Sequence, residues 1–369
     1  GVRVADLDKV EEDLRFFTNK KVRTVKLVDR SFNCDSRRAT DLFSIMRRLP
    51  GETVFHCEVN PELVNEGFIK ALEGLEERLQ FEVGVQSTNP KTLKAISRTP
   101  DVLRTLKGIE MMQAAGLKLH VDLIAGLPHE DFLTFGKSFD DVYKLSPNEI
   151  QLGFLKMLKG TRLTSEGQRY GICYRSKPPY EILFNDCLSY DELCILKGIA
   201  DLTDKYYNSG RFNLSLEHLT NKFDSPFSFY RSLYENWKER GLFRVRHSLK
   251  SLYDILFFYA QSQGNDEKLM QDLLKFDFLY SMGKDALPES IGRVETPEFI
   301  QKAKELVQDA DWRRINLPVA SDLSWSEISR HIVFGYFKHD VNDTKTPKKL
   351  GMVFFRRENK TYYAKLDIL

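Results

Sequence analysis

The sequence of 369 residues predicts an α/β protein in which a partial (βα) barrel of parallel strands precedes a mainly helical domain. Three observations support this fold class. Apolar, β-branched segments alternate with amphipathic ones at intervals of roughly 25 to 40 residues through the first 160 residues, as in successive βα units. Each apolar segment ends in a polar or glycine-rich turn that leads into a helix start. Beyond residue 160 helical patterns dominate, up to a few short strands near the C-terminus.

The predicted barrel occupies residues 1–160 and opens on an amphipathic helix over residues 6–18. Its strands are predicted at Val25–Val28, Val54–Val59, Phe81–Val85, Leu119–Ile124 and Ile150–Phe154. Asn60 and Asn89, each followed by proline, are predicted N-caps of two of the intervening helices. Because the strands read as continuous apolar runs, we expect both faces of the sheet to be covered. Because a βα unit normally begins with its strand, we expect a TIM-like barrel whose first strand and loop lie upstream of this chain.

The second predicted domain covers residues 161–369. Residues 161–185 read as a loop, and residues 189–308 as mostly helical with many aromatic side chains in the core. Short strands are predicted over 331–338, 350–355 and 362–366. The last two would form a β-hairpin whose turn spans 357–360.

Composition excludes several classes of protein. Hydrophobic residues make up 42% and charged residues 29%, as in ordinary globular domains. A net charge of +2 gives no case for an electrostatic nucleic-acid binder. No apolar run approaches the roughly 20 residues that span a bilayer, and the first residues lack the apolar core of a secretory signal. We therefore expect a cytoplasmic protein without nucleic-acid or membrane partners.

The five cysteines are odd in number and scattered along the chain, at positions 34, 57, 173, 187 and 194. This pattern argues against a disulfide framework and fits a reducing compartment. No Cys-x-x-Cys occurs, so spacing indicates neither a zinc nor an iron–sulfur site. No metal ligand is assigned.

Polar side chains follow the predicted strands at the end where ligands bind in parallel α/β folds. Gly84 interrupts a buried strand, which commonly marks close approach of a ligand or of backbone. Gln86 and Ser87 end that strand and offer donors and acceptors. Asp122 is a carboxylate within an apolar strand, which is costly unless it is paired or binds a ligand. We expect these groups, with Glu58 at another strand end, to hold a small polar molecule. Simple capping of strand ends is the structural alternative.

Four of these segments together resemble a known family. Glu58-Val-Asn-Pro61, Gly84-Val-Gln-Ser87, Ile96-Ser-Arg98 and Asp122-Leu-Ile-Ala-Gly-Leu-Pro128 resemble, in order and rough spacing, motifs of the radical S-adenosylmethionine (SAM) enzymes. The nearest branches are the oxygen-independent coproporphyrinogen oxidase-like and the cobalamin-binding radical SAM proteins. Asp29–Asn33 resembles a strand ending of the cobalamin group. The segment Tyr207–Phe212 resembles an uncharacterised domain that follows the barrel in some of these proteins.

The resemblance implies roles for individual residues. Glu58 and Arg98 would lie near the methionine end of SAM, with the Arg98 fork suited to its carboxylate. Gln86 and Asp122 would bind the ribose or methionine part of SAM. Gly84, which has no side chain, would leave space for the ligand. The adenine would lie against Ile124–Gly126 and the backbone at Phe154. The expected cofactor-binding residues are Glu58, Gly84, Gln86, Ser87, Arg98, Asp122, Ile124, Gly126 and Phe154. No catalytic residue is assigned.

The cluster motif of the family has no counterpart in the sequence. Radical SAM enzymes hold a [4Fe–4S] cluster with Cys-x-x-x-Cys-x-x-Cys, and none of the five cysteines has this spacing. We therefore expect this chain to be the C-terminal portion of a radical SAM enzyme that starts just after the cluster loop, and to be inactive alone. The full protein would use an electron donor to cleave SAM reductively and start radical chemistry on an unknown substrate. If a cobalamin domain precedes the barrel, methyl or other radical transfer becomes possible.

Two other function classes stay open. A metal-independent barrel enzyme, such as an aldolase or isomerase, would need a strand-end lysine or a His/carboxylate pair as its acid–base group. Lys156 is the candidate lysine, and the sequence shows no evident partner for it. A catalytically silent barrel could instead serve as an interaction scaffold through its aromatic-rich helical domain. His56 and His120, within predicted strands, are expected to be hydrogen-bonded core groups, and His129 a loop residue.

Overall fold

The computed structural model describes the whole chain except residues 1–3, 30, 99–100, 293–294, 342–347, 359 and 368–369. Arg30 in the Asp29–Asn33 motif and Asn359 in the predicted hairpin turn therefore lie outside the described residues. The chain divides into two compact units. The first comprises residues 1–204 with 225–231, and the second residues 205–224 with 232–369. The predicted domain boundary after residue 160 stays a prediction.

The first unit is built from βα repeats, as expected. Its elements are α1 (Leu7–Asn19), β1 (Thr24–Lys26), α2 (Ser36–Arg48), β2 (Val54–Val59), α3 (Glu66–Leu72), β3 (Leu79–Gln86), α4 (Pro90–Ala95), α5 (Val102–Ala114), β4 (Lys118–Ala125), α6 (Phe132–Tyr143), β5 (Glu149–Phe154), α7 (Arg162–Glu166), β6 (Cys173–Tyr174), β7 (Ile182–Phe184) and most of α8 (Tyr190–Tyr206). The Asn60 and Asn89 side chains cap the turns that follow β2 and β3, as predicted.

The strands β1 to β5 form one parallel sheet in sequence order, curled into a half-barrel. This confirms the predicted partial barrel of parallel strands. Consecutive strands pair through helical crossovers, which is the arrangement that βα repeats impose. Such a sheet brings the carboxyl ends of its strands, and the residues just beyond them, to one edge.

The expectation that the strands are apolar on both faces is wrong. Burial alternates along β2, β3 and β4, so one face carries buried apolar side chains such as Phe55, Phe81 and Val121. The other face, which we call the polar face, is only partly buried. It carries His56, Glu58, Gln80, Glu82, His120 and Asp122. Alternation arises where a packed core covers only one face of a sheet.

The prediction that residues 161–185 form a loop is also wrong. It contains α7, a 3₁₀ turn over Gly167–Tyr170 and the antiparallel pair β6–β7. Strands of two and three residues are too short to show a period in the sequence, so the pattern could not have predicted them.

The second unit is mainly helical and ends in a small sheet, as expected. It includes α9 (Asn213–Thr220), much of α10 (Pro226–Glu239), α11 (Leu249–Ser262), α12 (Glu267–Met282), α13 (Pro297–Gln308), α14 (Ala310–Asn316) and α15 (Trp325–Ile328). Strands β8 (Ile332–Phe337), β9 (Leu350–Arg357) and β10 (Lys360–Leu366) form an antiparallel sheet in the order β10-β9-β8. Buried residues of α13 pack against this sheet, among them Phe299 and Val307. In the part of the chain that the structure describes, no helix is long and apolar enough to cross a bilayer.

Candidate functional site

Gln86 has an unusual backbone conformation at the end of β3. Its φ of 68° lies in the left-handed region, which non-glycine residues rarely adopt, and the pairing of β3 with β4 shifts between Gly84 and Gln86. The side chain is only 9% exposed. Its Oε1 is buried and has no hydrogen-bond partner among the described residues. Backbone strain and an unsatisfied buried acceptor at one residue are features of ligand-binding positions.

Gly84 makes room for side chains of the protein itself. A Cβ at this position would collide with Nε2 of Gln86 and lie 3.5 Å from Nη2 of Arg98. Arg98 also donates from Nη1 to the Gly84 carbonyl oxygen at 2.8 Å. The predicted clearance at Gly84 therefore serves to bring the Gln86 amide and the Arg98 guanidinium together.

Asp122 faces this group from the next strand. It is in register with Gly84 across β3 and β4. Its Oδ1 is buried and has no partner in the described part of the chain. Burial, together with the nearby charges of Glu82 and Glu58, raises the pKa of Asp122 to about 7, against the opposing effect of Lys26 and Arg98. A carboxylate with an open oxygen and a pKa near neutrality is a strong candidate for binding a ligand hydroxyl or cation.

Further charged groups lie beside Asp122 on the polar face. Glu58 is in register with Glu82. Lys26 Nζ lies 2.6 Å from Oε2 of Glu82, and His56 Nε2 lies 3.1 Å from the same oxygen. Burial opposes ionisation of Glu82, but its contacts with Lys26 and His56 lower its pKa overall. Hydrogen bonding to Glu82 raises the pKa of Lys26. These residues form one electrostatic group.

The two strand histidines are hydrogen-bonded, as expected, but they lie on the polar face. His56 contacts Glu82, and burial lowers the pKa of its imidazole. His120 Nε2 lies 2.5 Å from Nε2 of Gln80 and 2.9 Å from Oε1 of Glu149. The sequence alone gave no sign that Lys26 and both histidines would share this surface.

Two cavities lie beside Arg98. The larger, of about 440 Å³, is lined by Gln86, Arg98 and Ile124, by Lys156, the lysine of the aldolase interpretation, and by Arg162, which was not predicted as a site residue. The smaller, of about 230 Å³, is lined by Gly84, Ser87, Ser97, Arg98 and residues of the turn after β2. The larger cavity is within the size range of small-molecule sites.

Ser87 binds within the protein. Its hydroxyl donates to Oε1 of Glu130 at 2.5 Å, and Ser138 donates to the same oxygen at 2.9 Å. Glu130 is fully buried, and burial raises its pKa to about 7. These contacts tie the end of β3 to α6. The expected ligand contact of Ser87 remains a prediction, and its hydroxyl is already engaged with Oε1 of Glu130. The other oxygen of Glu130, Oε2, is buried and has no partner in the described part of the chain.

The remaining predicted residues differ in accessibility. Ile124 is half-buried and lines the larger cavity. Gly126 has a φ of 89°, a Cβ there would lie 2.9 Å from Ile182, and its carbonyl accepts from Asn185 at 2.9 Å. The segment around β7 thus covers the Gly126 turn. The Phe154 ring lies under Nζ of Lys197, 5.4 Å from its centroid.

Candidate cofactors differ in how well these residues fit them. The buried, unpartnered oxygens of Gln86 and Asp122, beside Arg98, suit a ligand with hydroxyls and a carboxylate such as SAM. The described residues offer no evident site for an iron–sulfur cluster. Cys57 is buried in β2, and among the described residues no three His, Cys, Asp or Glu side chains are grouped to hold a metal ion. Lys156, the candidate of the aldolase interpretation, lines the larger cavity, and its catalytic role stays a prediction.

Comparisons with known proteins identify two regions. Residues 1–142 match the radical SAM superfamily, and residues 168–355, just over half of the chain, match a family described as protein of unknown function (DUF4080).

Curated relatives match parts of the chain. An oxygen-independent coproporphyrinogen III oxidase from Paracoccus denitrificans is 30% identical over 101 residues, which cover 27% of this chain and 22% of that protein. The uncharacterized protein YtqA of Bacillus subtilis is 26% identical over 130 residues, covering 35% and 40%. The chain thus spans less than half the length of these relatives.

Solved structures match about half of this chain with TM-scores below 0.4. Coproporphyrinogen III oxidase (HemN) from Escherichia coli, titled a radical SAM enzyme, has a TM-score of 0.36 at 15% identity, covering 52% of this chain and 51% of that one. The methyltransferase TsrM from Kitasatospora setae, with cobalamin and a [4Fe-4S] cluster, has a TM-score of 0.39 at 14% identity, covering 50% and 38%. The residues 1–142 thus match the radical SAM superfamily, and the match over more than half of the chain shows that it belongs to the DUF4080 family.

Proposed function

We propose that the first unit binds SAM at the carboxyl ends of β2 to β5, as part of a radical SAM enzyme. One observation carries this proposal: two buried oxygens, Oε1 of Gln86 and Oδ1 of Asp122, lack partners among the described residues. Gln86 lines a cavity together with Arg98, and the charge of Asp122 acts on the same arginine. Unsatisfied buried acceptors are costly, and a ligand that donates hydrogen bonds removes the cost. The superfamily match supports SAM as that ligand.

Each residue would have a distinct part in binding. Arg98 would pair with the ligand carboxylate, since its guanidinium offers two parallel donors. Asp122 and Gln86 would accept hydrogen bonds from ribose hydroxyls. Glu58 would lie by the ligand ammonium, and Ile124 would pack against the adenine. Glu58 and Asp122 already act on Arg98 electrostatically, so these groups lie near one another.

A direct test is calorimetric titration with S-adenosylhomocysteine (SAH), which is chemically stable. We expect saturable binding at one site, weakened at least tenfold in Asp122→Asn, because the amide cannot accept two hydroxyl hydrogen bonds as the carboxylate does. Asp13→Asn, the same change at an exposed position of α1, is the matched control and should bind as the wild type does. Absence of binding by the wild type, or equal loss in both variants, would reject the proposal.

We further propose that these 369 residues bind SAM without cleaving it. A [4Fe–4S] cluster supplies the electron for reductive cleavage in this superfamily, and the sequence contains no Cys-x-x-x-Cys-x-x-Cys to hold one. Cobalamin use and the electron donor belong to the same proposal for the whole protein, and the resemblance of Asp29–Asn33 to the cobalamin group motivates the first. After reconstitution with iron and sulfide, we expect no stoichiometric cluster absorbance. A full [4Fe–4S] spectrum would overturn this.

A further inference from the structure

We propose that Glu130 and Ser87 position Gln86 for ligand binding, because the hydrogen bond between them fixes the turn from which the Gln86 side chain reaches the ligand site. The inference rests on the proposed function, in which Gln86 accepts hydrogen bonds from ribose hydroxyls. It gives the fully buried Glu130 a part in ligand affinity without a contact of its own with the ligand. Glu130 and Ser87 are therefore positioning residues.

Both partners of this hydrogen bond directly follow a residue with a strained backbone. Gln86 has a φ of 68° and His129 a φ of 62°, in the left-handed region that non-glycine residues rarely adopt. The next residues, Ser87 and Glu130, are joined by a hydrogen bond of 2.5 Å from Oγ to Oε1. A strained backbone persists only where the surrounding contacts hold it. The bond thus holds together two strained turns, one after β3 and one before α6.

Further hydrogen bonds fix the residues that follow Gln86. Thr88 donates its backbone N–H to Oγ of Ser138 at 3.0 Å, and this hydroxyl in turn donates to the Glu130 carboxyl. Asn89 donates its backbone N–H to Oγ of Ser87 and its Nδ2 to the carbonyl oxygen of residue 129, each at 2.9 Å. Three consecutive residues after Gln86 are therefore tied to α6 or to the turn before it, with the carboxyl at the centre.

The conformation of Gln86 decides where its amide lies. Its Oε1 is buried without a partner among the described residues, and its side chain lines the cavity of about 440 Å³. Its Nε2 lies against Gly84, where a Cβ would collide with it. Because side-chain direction follows the backbone angles, a return of Gln86 to the extended region would turn the amide away from both. The bond at Ser87 thereby keeps the unsatisfied oxygen where a ligand can reach it.

Two substitutions of Glu130 separate the hydrogen bond from the charge. Glu130→Gln keeps a carbonyl oxygen that can accept from both serines, and Oε2, which the amide nitrogen would replace, has no partner in the described part of the chain. Glu130→Ala removes the acceptor. The free-energy cost of a left-handed non-glycine residue corresponds to about one power of ten in an equilibrium constant. Loss of the hydrogen bond should therefore weaken ligand binding about tenfold.

The experiment measures the dissociation constant of SAH by calorimetry in a double-mutant cycle with Gln86→Ala. We expect Glu130→Ala to raise the constant about tenfold in the wild-type background and to leave it unchanged in the Gln86→Ala background. Glu130→Gln should restore it to within about twofold of the wild type.

The matched control is Ile45→Ala, which opens a cavity at a buried position of α2 and should destabilise the protein as well. Residues of α2 line neither of the two cavities beside Arg98, so this variant should bind SAH as the wild type does. A role of Glu130 in stability alone would weaken binding by the same factor in both backgrounds and equally in the control.

The outcomes distinguish the two proposals. Absence of SAH binding by the wild type rejects both of them. If the wild type binds, SAH binding stands, and the positioning role is overturned by any of three results: an unchanged constant in Glu130→Ala, a loss that persists in the Gln86→Ala background, or a Glu130→Gln variant as weak as Glu130→Ala. Circular dichroism shows whether each variant is folded. If Glu130→Ala is not, Ser87→Ala removes the same hydrogen bond and decides in the same cycle.

Discussion

Replacing Asp122 by asparagine should stabilise the barrel at high pH while weakening ligand binding. Burial and two neighbouring carboxylates raise the pKa of Asp122 from its ordinary value of 3.8 to about 7. Between these values the folded state retains a proton that the unfolded state has released. Stability of the wild type therefore falls as pH rises through this window, and the whole cost is present above about pH 7.

The magnitude follows from the pKa. Asparagine resembles the protonated acid and does not titrate, so the variant escapes the cost. Each pKa unit corresponds to about 1.36 kcal/mol. From pH 5 to pH 8 the stability advantage of Asp122→Asn should therefore grow by about 3 kcal/mol, since about two pH units of the window lie in that range. This is an upper bound, because Asp122 is half-buried and its charged neighbours can adjust.

The assay must report on the barrel itself. All three tryptophans, at positions 237, 312 and 325, lie in the second unit, so tryptophan fluorescence is unsuitable. Hydrogen exchange of peptides from β3 and β4 in the full chain, corrected for intrinsic rates at pH 5 and pH 8, gives their opening free energies. Asp13→Asn serves as the control. An advantage that is the same at both pH values, or that shrinks at pH 8, would refute the reasoning.

Three further substitutions test the packing of the site. Gly84→Ala should fold, because its new Cβ meets the movable end of the Gln86 side chain, but it should weaken SAH binding about tenfold in calorimetry by displacing that amide. Gly108→Ala should instead reduce the free energy of unfolding by about 2 kcal/mol or more in urea denaturation, because its Cβ meets the rigid carbonyl of Pro61. Glu130→Ala should cost about 1–3 kcal/mol in the same assay, since it leaves buried serine hydroxyls without their acceptor; an unchanged transition would show that this cluster contributes nothing.

Local patterns in the sequence predicted the elements that depend on local rules. The parallel strand order, the capping asparagines and the positions of Gln86 and Asp122 at or near strand ends all follow from periodicity and turn chemistry. The structure places Gln86 and Arg98 against Gly84, with Asp122 in register with that glycine, and the role of these three residues in binding SAM stays a prediction.

Features that depend on tertiary contacts were not predictable in this way. The sequence of β2 is Val-Phe-His-Cys-Glu-Val, in which apolar residues at four of six positions resemble a strand that is covered on both faces. Lys26 joins the site through an ion pair with Glu82, 56 residues away in sequence. The left-handed backbone of Gln86 and Ser97 is set by strand pairing and helix ends, which no side-chain pattern encodes for non-glycine residues.

The two faces of the parallel sheet can diverge at different rates in evolution. Substitutions at Phe55 or Phe81 remove buried apolar surface and threaten folding, whereas those at His56 or His120 remove little. Related proteins that keep the proposed cofactor-binding residues Glu58 and Asp122 could therefore exchange the other polar-face side chains and acquire new chemistry on an unchanged barrel. Sequence variation across relatives should then concentrate at the polar-face positions, which alternate along each strand with the buried apolar positions.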